Sequence, residues 1–164
     1  MGVNKKEFMT DNSNLKKIAN KHSKKLSELG MELGKIKFSY KIENKSSKEY
    51  WQNKITNFKK YSEVGLEYYN EAYSLMTLVN KVESQIFLLH SSKFRQLGLT
   101  LIKIMEKIEK NPSIMNSKDK QQSVWSKEIR EEITEHSNKC LHHEKDMNMS
   151  FREFYEKDLK GILE

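Results

Sequence analysis

Residues 68–89 read YYNEAYSLMTLVNKVESQIFLL and carry the apolar pattern that decides the fold. Its members recur at alternating steps of four and three residues: Tyr68, Ala72, Leu75, Val79, Val82, Ile86 and Leu89. Steps of this kind place side chains on one face of an α-helix and define a heptad repeat. The stretch therefore predicts a long helix whose apolar face packs against another helix.

The helical pattern extends beyond this stretch in both directions. Residues 46–110 contain no proline, and their two glycines are Gly65 and Gly98. A continuous helix of that length would measure roughly 95 Å, whereas the usual globular helix has about 11 residues. After Leu89 the apolar residues shift by one position, so we expect a kink or a break near residues 90–92. The pair Asn111-Pro112 ends the segment, because the residue before proline avoids the helical conformation.

Two further helices flank this segment. The first follows a run of good capping residues, Thr10 to Ser13, and has its own heptad stripe of Leu15, Ala19, His22, Leu26, Leu29, Leu33, Ile36 and Tyr40. The last has a more polar inner stripe of Trp125, Ile129, Ile133, His136, Cys140, His143, Met147, Phe151 and Phe154. The sequence thus predicts an all-α protein, with three long, partly kinked helices in an elongated antiparallel bundle or coiled coil. We place these helices at residues 14–41, 47–110 and 118–162, within a single helical domain of residues 14–164 that follows a flexible segment of residues 1–13.

Composition restricts the compartment and the class of protein. Charged residues make up 32% of the chain and apolar residues 36%, which is typical of long helices with much exposed surface. Cys140 is the single cysteine, so no intrachain disulfide can form and a reducing, cytoplasmic location is expected. The first residues lack the apolar core of a secretory signal, and no apolar run approaches the length of about 18 residues that spans a bilayer.

Positive charge is concentrated at the beginning of the chain. Residues 1–60 contain 15 lysines and 6 acidic residues, although the net charge of the whole chain is only +7. The predicted basic flank comprises Lys16, Lys17, Lys21, Lys24 and Lys25, with Lys54, Lys59 and Lys60 as an extension. Such a surface attracts the phosphates of lipid or nucleic acid, or it is simply a solvated face that keeps a coiled coil soluble. No aromatic residue interleaves the lysines and no DNA-binding motif is visible, so anionic membrane is favoured over nucleic acid.

The remaining reactive side chains do not make a convincing active site. His136, Cys140 and His143 share one helix face, and zinc binds imidazole and thiolate, but a structural zinc site needs four ligands. A fourth would have to come from His22 or His90, which no spacing supports. Cys140 has no visible oxyanion donor or orienting group that nucleophilic catalysis requires. We therefore predict no catalytic residue, no metal, no cofactor and no small-molecule substrate.

The closing stretch FREFYEKDLKGIL, residues 151–163, resembles the last helix of BAR domains of the sorting-nexin type. Three long helices, a kinked central one and a basic flank add to this resemblance. It implies a crescent-shaped antiparallel dimer whose basic concave face binds curved, anionic membrane. It also implies peripheral attachment to an endosomal or other intracellular membrane.

These observations predict a non-enzymatic helical scaffold that self-associates and binds anionic membrane through its basic flank. The interface for a homodimer or a helical partner is expected at Tyr68, Leu75, Val79, Val82, Ile86 and Leu89. The alternative is an adaptor or inhibitor that pairs this apolar stripe with helices of another protein. Nucleic-acid binding is the third hypothesis.

Overall fold

In a computed structural model the chain folds into a bundle of long helices that pack against one another. The structure describes the backbone of residues 5–36, 42–43, 45–116 and 120–164, and the side chains of the same residues except 5–12, 116 and 120–126. Within these ranges there is no strand, and the four long helices are α1 (Lys5–Ile36), α2 (Lys48–Leu78), α3 (Val82–Lys110) and α4 (Lys120–Phe154). A 3₁₀ turn precedes α4, and a π-helical turn joins α4 to the short C-terminal helix α5: these elements are Pro112–Asn116, Tyr155–Leu159 and Lys160–Leu163.

Each long helix runs antiparallel to the one before it. The middle of α1 meets the second half of α2, where the His22 imidazole contacts the Glu71 carboxylate. The start of α3 meets the end of the chain, where Lys157 Nζ lies 3.1 Å from Glu83 Oε1. The bundle is closed by α1 and the C-terminus, since Lys16 Nζ donates a hydrogen bond of 3.0 Å to the Glu164 carbonyl oxygen. The result is an up-down-up-down four-helix arrangement.

The core is built from the apolar stripes of all four long helices. The heptad stripe predicted for the first helix is confirmed for Ala19, Leu26, Leu29 and Leu33, which are buried. Leu15, His22 and Ile36 are half-buried, and Tyr40 lies outside the described residues. Near the start of α2, Trp51 is completely buried, and its indole Nε1 donates a hydrogen bond of 2.7 Å to the Lys45 carbonyl oxygen. Burial of a large apolar side chain contributes at least about 1.5–3 kcal/mol to stability, so Trp51 anchors this end of the bundle.

The predicted helix over residues 47–110 is two helices rather than one. The chain leaves the helical conformation at Val79 and re-enters it at Val82, so α2 and α3 form a hairpin. Ser84 stabilises the turn, because its buried hydroxyl oxygen accepts a hydrogen bond of 2.9 Å from the Lys81 amide and lies 2.7 Å from the Val79 carbonyl oxygen. The prediction failed here because the step from Val79 to Val82 is three residues, so the heptad spacing continues across the turn.

Of the kink or break predicted at residues 90–92, the break is wrong, because α3 continues through these positions. The kink stays a prediction. The residues of α3 that face the core occur at regular steps of three and four: Ser84, Phe87, Ser91, Phe94, Gly98, Leu101, Met105 and Ile108. Ser91 is tolerated in the core because its hydroxyl donates a hydrogen bond of 2.9 Å to the Phe87 carbonyl oxygen. Two serines and one glycine hide this stripe in the sequence, and the apparent one-residue shift came from following the exposed stripe instead.

The outer helix boundaries also differ from the prediction. The first helix begins at Lys5, so residues 5–13 of the predicted flexible segment are helical, and residues 1–4 lie outside the described part. Residues that favour helix caps are only modestly unfavourable inside a helix, which explains why the Thr10–Ser13 run does not delay the start. The predicted end of the first helix at residue 41 and the predicted start of the last helix at residue 118 fall outside the described residues.

Candidate functional site: the basic face of the first helix

Four lysines of α1 form a basic face, which we define as Lys17, Lys21, Lys24 and Lys25. They are exposed because the helical repeat of about 3.6 residues places them away from the buried stripe that includes Ala19 and Leu26. Within the described residues none of the four makes an ion pair with a carboxylate. Their ammonium groups are therefore available to an external anion.

Lys16, the fifth predicted lysine of this helix, lies closer to the neighbouring elements of the bundle. Its ammonium donates the hydrogen bond to Glu164 that joins α1 to the C-terminal end of the chain. The side chain is still exposed, so its charge adds to the potential around the basic face. Its contact with the chain end nevertheless gives Lys16 a structural function that the other four lysines do not share.

The sequence predicted that three lysines of α2 extend the basic face, but they do not lie beside it in the structure. Lys54 is half-buried, lies over the Tyr50 ring at 5.9 Å, and has its pKa lowered mainly by burial. Lys59 Nζ lies 3.8 Å from Glu106 Oε1, so it faces α3 rather than α1. Lys60 is exposed. Glu71 lies beside His22 of α1, and Lys60 precedes Glu71 by 11 residues on α2, so Lys60 lies about 17 Å from the level of His22 along the bundle. The lysines of α2 therefore lie apart from the basic face of α1.

Exposed apolar side chains lie on α1 among these charges. Ile18 is 42% exposed and Met31 is 64% exposed. These two side chains are separate from each other, and each lies beside exposed charged residues of the helix. Residues 13–36 contain six lysines and two glutamates, which gives this part of α1 a net charge of +4 with His22 neutral.

An open groove runs beside the basic face, between α1 and α4. Its volume is about 680 Å³, and its lining is Asn20, Ser23, Lys24, Ser27, Asn148, Phe151, Arg152, Tyr155, Glu156 and Leu163. Lys24 contributes a cation from α1 and Arg152 a cation from α4, while Phe151 and Tyr155 contribute aromatic surface. The groove thus combines positive charge with apolar surface. Sequence analysis missed it, because the two walls come from opposite ends of the chain.

The six predicted interface residues have two different locations. Tyr68, Leu75 and Val79 are buried in the core of the chain itself, so they are not available to a partner in this fold. Val82, Ile86 and Leu89 are exposed, with 70%, 39% and 56% of their surface accessible. They occupy positions i, i+4 and i+7 of α3, and we call them the exposed apolar stripe.

Cys140 and His136 of α4 have different local surroundings. Cys140 is fully buried, and burial is the main cause that raises the pKa of its thiol to about 12, with the Glu144 carboxylate as a second cause. His136 Nδ1 donates a hydrogen bond of 3.0 Å to the Glu132 carbonyl oxygen of its own helix. His136, Cys140 and His143, which the sequence analysis considered and set aside as a zinc site, differ in their surroundings, because Cys140 faces the core and His136 bonds to its own backbone.

The described helices contain no segment that is both long and apolar enough to cross a bilayer. Comparison with known proteins adds no family to these observations. No protein-family model, no curated protein and no solved structure significantly matches this chain.

Proposed function

We propose that this chain is a non-enzymatic helical scaffold that binds anionic membrane surfaces through the basic face of α1. The observation that carries the proposal is the exposure of four unpaired lysines on one face of one helix, within the described residues. Each lysine near an anionic leaflet contributes about 1 kcal/mol to binding, so four lysines suffice for reversible attachment. Ile18 and Met31 support the proposal, because exposed apolar side chains add affinity at the level of the headgroups.

The groove between α1 and α4 adjoins the basic face, so both would face the membrane together. Lys24 belongs both to the basic face and to the groove wall, and Arg152 lines the other wall. Arginine binds phosphate through a planar fork of donors, whereas lysine acts as a point charge. Anionic headgroups therefore find cations of both kinds on this side of the bundle.

Liposome co-sedimentation tests the membrane proposal. The test variant replaces Lys17, Lys21, Lys24 and Lys25 with glutamine, which removes the charge and keeps a good helix former. The matched control makes the same change at four exposed lysines of the other helices, Lys48, Lys103, Lys127 and Lys145. We expect binding to vesicles with phosphatidylserine to fall at least about 100-fold in the test variant and far less in the control.

Two outcomes of this experiment would reject the membrane proposal. The first is equal binding to neutral and anionic vesicles, and the second is equal loss in the test and control variants. Duplex DNA at the same salt concentrations provides the comparison for nucleic-acid binding. A steep salt-dependent affinity for the duplex, without vesicle binding, would favour that function instead.

Self-association or pairing with another helical protein is the second candidate, and the exposed apolar stripe favours it. Val82, Ile86 and Leu89 present an apolar ridge on α3 that remains outside the core. If two copies pair through it, light scattering of the purified chain gives twice the chain mass of 19.5 kDa. Replacing Ile86 and Leu89 with lysine then restores the single-chain mass. A single-chain mass for the unmodified protein at high concentration would argue against the dimer and leave a heterologous helical partner.

A further inference from the structure

Two histidines and one aspartate converge at the packing interface between α3 and α4. His90 lies on α3, while His143 and Asp146 are three residues apart on α4. One potential ligand atom from each side chain lies within 4.8 Å of the others. The antiparallel packing of the two helices brings His90 opposite the pair on α4, and the i, i+3 spacing places His143 and Asp146 on one face.

The imidazole nitrogens of this cluster are not satisfied by the described part of the chain. His90 Nδ1 and His143 Nδ1 are both inaccessible to solvent and have no hydrogen-bond partner among the described residues. Buried polar atoms without a partner are rare in folded proteins, because each costs about 1–3 kcal/mol of desolvation. Two such atoms in one cluster therefore indicate a bound partner, either a metal ion that accepts a nitrogen lone pair or a hydrogen-bonding group.

The cluster itself contains one carboxylate, because Asp146 is one of its three side chains. This carboxylate supplies negative charge for a bound cation, and Lys93 is a positive charge in the neighbourhood. His142 Nε2 lies 3.6 Å from Asp146 Oδ2, so a further histidine is close to the cluster.

We propose that His90, His143 and Asp146 bind one divalent first-row transition-metal ion, with Zn²⁺ as the representative ion. Two imidazoles and one carboxylate form a ligand set that suits zinc and its neighbours, whereas calcium and magnesium prefer all-oxygen sites. All three residues are partly exposed, so water completes the coordination sphere. A bound ion links α3 to α4 and stabilises the folded chain, because the unfolded chain does not hold the three ligands together.

The test is titration of the full chain, free of any histidine tag, with zinc chloride. Calorimetry is expected to give one ion per chain, and nuclear magnetic resonance is expected to show imidazole shifts at His90 and His143. The variants His90→Ala, His143→Ala and Asp146→Asn are each expected to lose affinity at least about tenfold, because removal of even an outer partner of a ligand costs about that much. His136→Ala is the matched control, because His136 lies on the same helix and bonds to its own backbone.

The resonance measurement on the unmodified chain keeps the test independent of how well each variant folds. Zinc-dependent shifts at His90 and His143, absent from His22 and His136, support the site. Saturation without shifts at these two rings, equal affinity in all four variants, or no binding at micromolar zinc overturns it. In that case an ordered water that bridges the two nitrogens is the explanation for the cluster.

Discussion

Ser84 accepts a hydrogen bond of 2.9 Å from the backbone amide of Lys81, three residues before it. Lys81 has an extended conformation and precedes the first residue of α3, so its amide has no partner within the helix. Serine at the third helical position reaches back to this amide, as a glutamate or glutamine does in a capping box. This contact stabilises the start of α3 and the turn that joins it to α2.

Replacing Ser84 with alanine tests the importance of this contact. The side chain is fully buried, and the variant removes its hydrogen bonds to the Lys81 amide and to the Val79 carbonyl oxygen, whereas the bond of 3.1 Å from that amide to Val79 remains. We expect the free energy of unfolding to fall by about 1–3 kcal/mol, which urea denaturation measures. The matched control is Ser74→Ala, since the Ser74 hydroxyl bonds only to the Asn70 carbonyl of its own exposed turn. A change in the control variant as large as in Ser84→Ala would contradict the proposed function of Ser84.

Adjacent residues of α3 provide a test of which stripe faces the core. Phe87 is fully buried, with ring centroids 5.8 Å from Tyr68, 5.1 Å from Phe151 and 6.2 Å from Phe154. The Phe87→Ala variant leaves a large cavity, so we expect it to lower the free energy of unfolding by about 3–5 kcal/mol.

The neighbouring Ile86→Ala variant is the control for this experiment. Ile86 is exposed, and surface substitutions change stability by about 0.5 kcal/mol. Chemical denaturation of both variants decides the phase of α3. Equal destabilisation would mean that the exposed apolar stripe is also buried, as it would be in a stable dimer, and light scattering would then show the mass of two chains.

The buried thiol of Cys140 is expected to be unreactive in the folded protein. Its pKa is raised to about 12 from an ordinary value of 9.0, so the reactive thiolate is roughly a thousand times scarcer at pH 8. We expect Ellman's reagent to label the thiol very slowly in the folded chain and at once in a concentration of urea that unfolds it. Rapid labelling without denaturant would show that α4 opens readily or that Cys140 is accessible.

Stability is expected to decline at alkaline pH because of Cys140 and Tyr68. Burial raises the pKa of both side chains above their ordinary values of 9.0 and 10.0, and Glu144 adds to both shifts. In each case the folded chain holds its proton more tightly than the unfolded chain does. The contribution of each group is therefore complete below its ordinary pKa and is lost as pH rises above it.

Urea unfolding between about pH 7.5 and pH 10.5 measures this decline, a range that crosses both ordinary pKa values. The free energy of unfolding should fall by up to about 1.4 kcal/mol per pH unit for each titrating group. The double variant Cys140→Ala and Tyr68→Phe should have a flatter profile over the same range. A profile with the same slope in both proteins would show that other groups, such as the many lysines, cause the decline.

The basic face was accessible to sequence reasoning in part. Lys17, Lys21, Lys24 and Lys25 follow one another on the side of α1 opposite its heptad stripe, and helical geometry alone makes them exposed. The same reasoning could not separate them from Lys59, because the position of Lys59 depends on where α2 lies and on its ion pair with Glu106. The histidine cluster was out of reach for a similar reason, since His90 and His143 are far apart in the chain.

By itself, the sequence determined that this protein is all-helical, because spacings of three and four residues over most of the chain place apolar side chains on one face of each helix. It also determined the core of α1 and the exposure of its lysines, which depend only on local geometry. Tertiary structure decided that residues 46–110 fold back at Val79–Lys81, and that Ser84, Ser91 and Gly98 occupy the core. Small and polar residues carry no hydrophobic signal, so only the close approach of neighbouring helices and the hydrogen bonds within α3 could assign them to the interior.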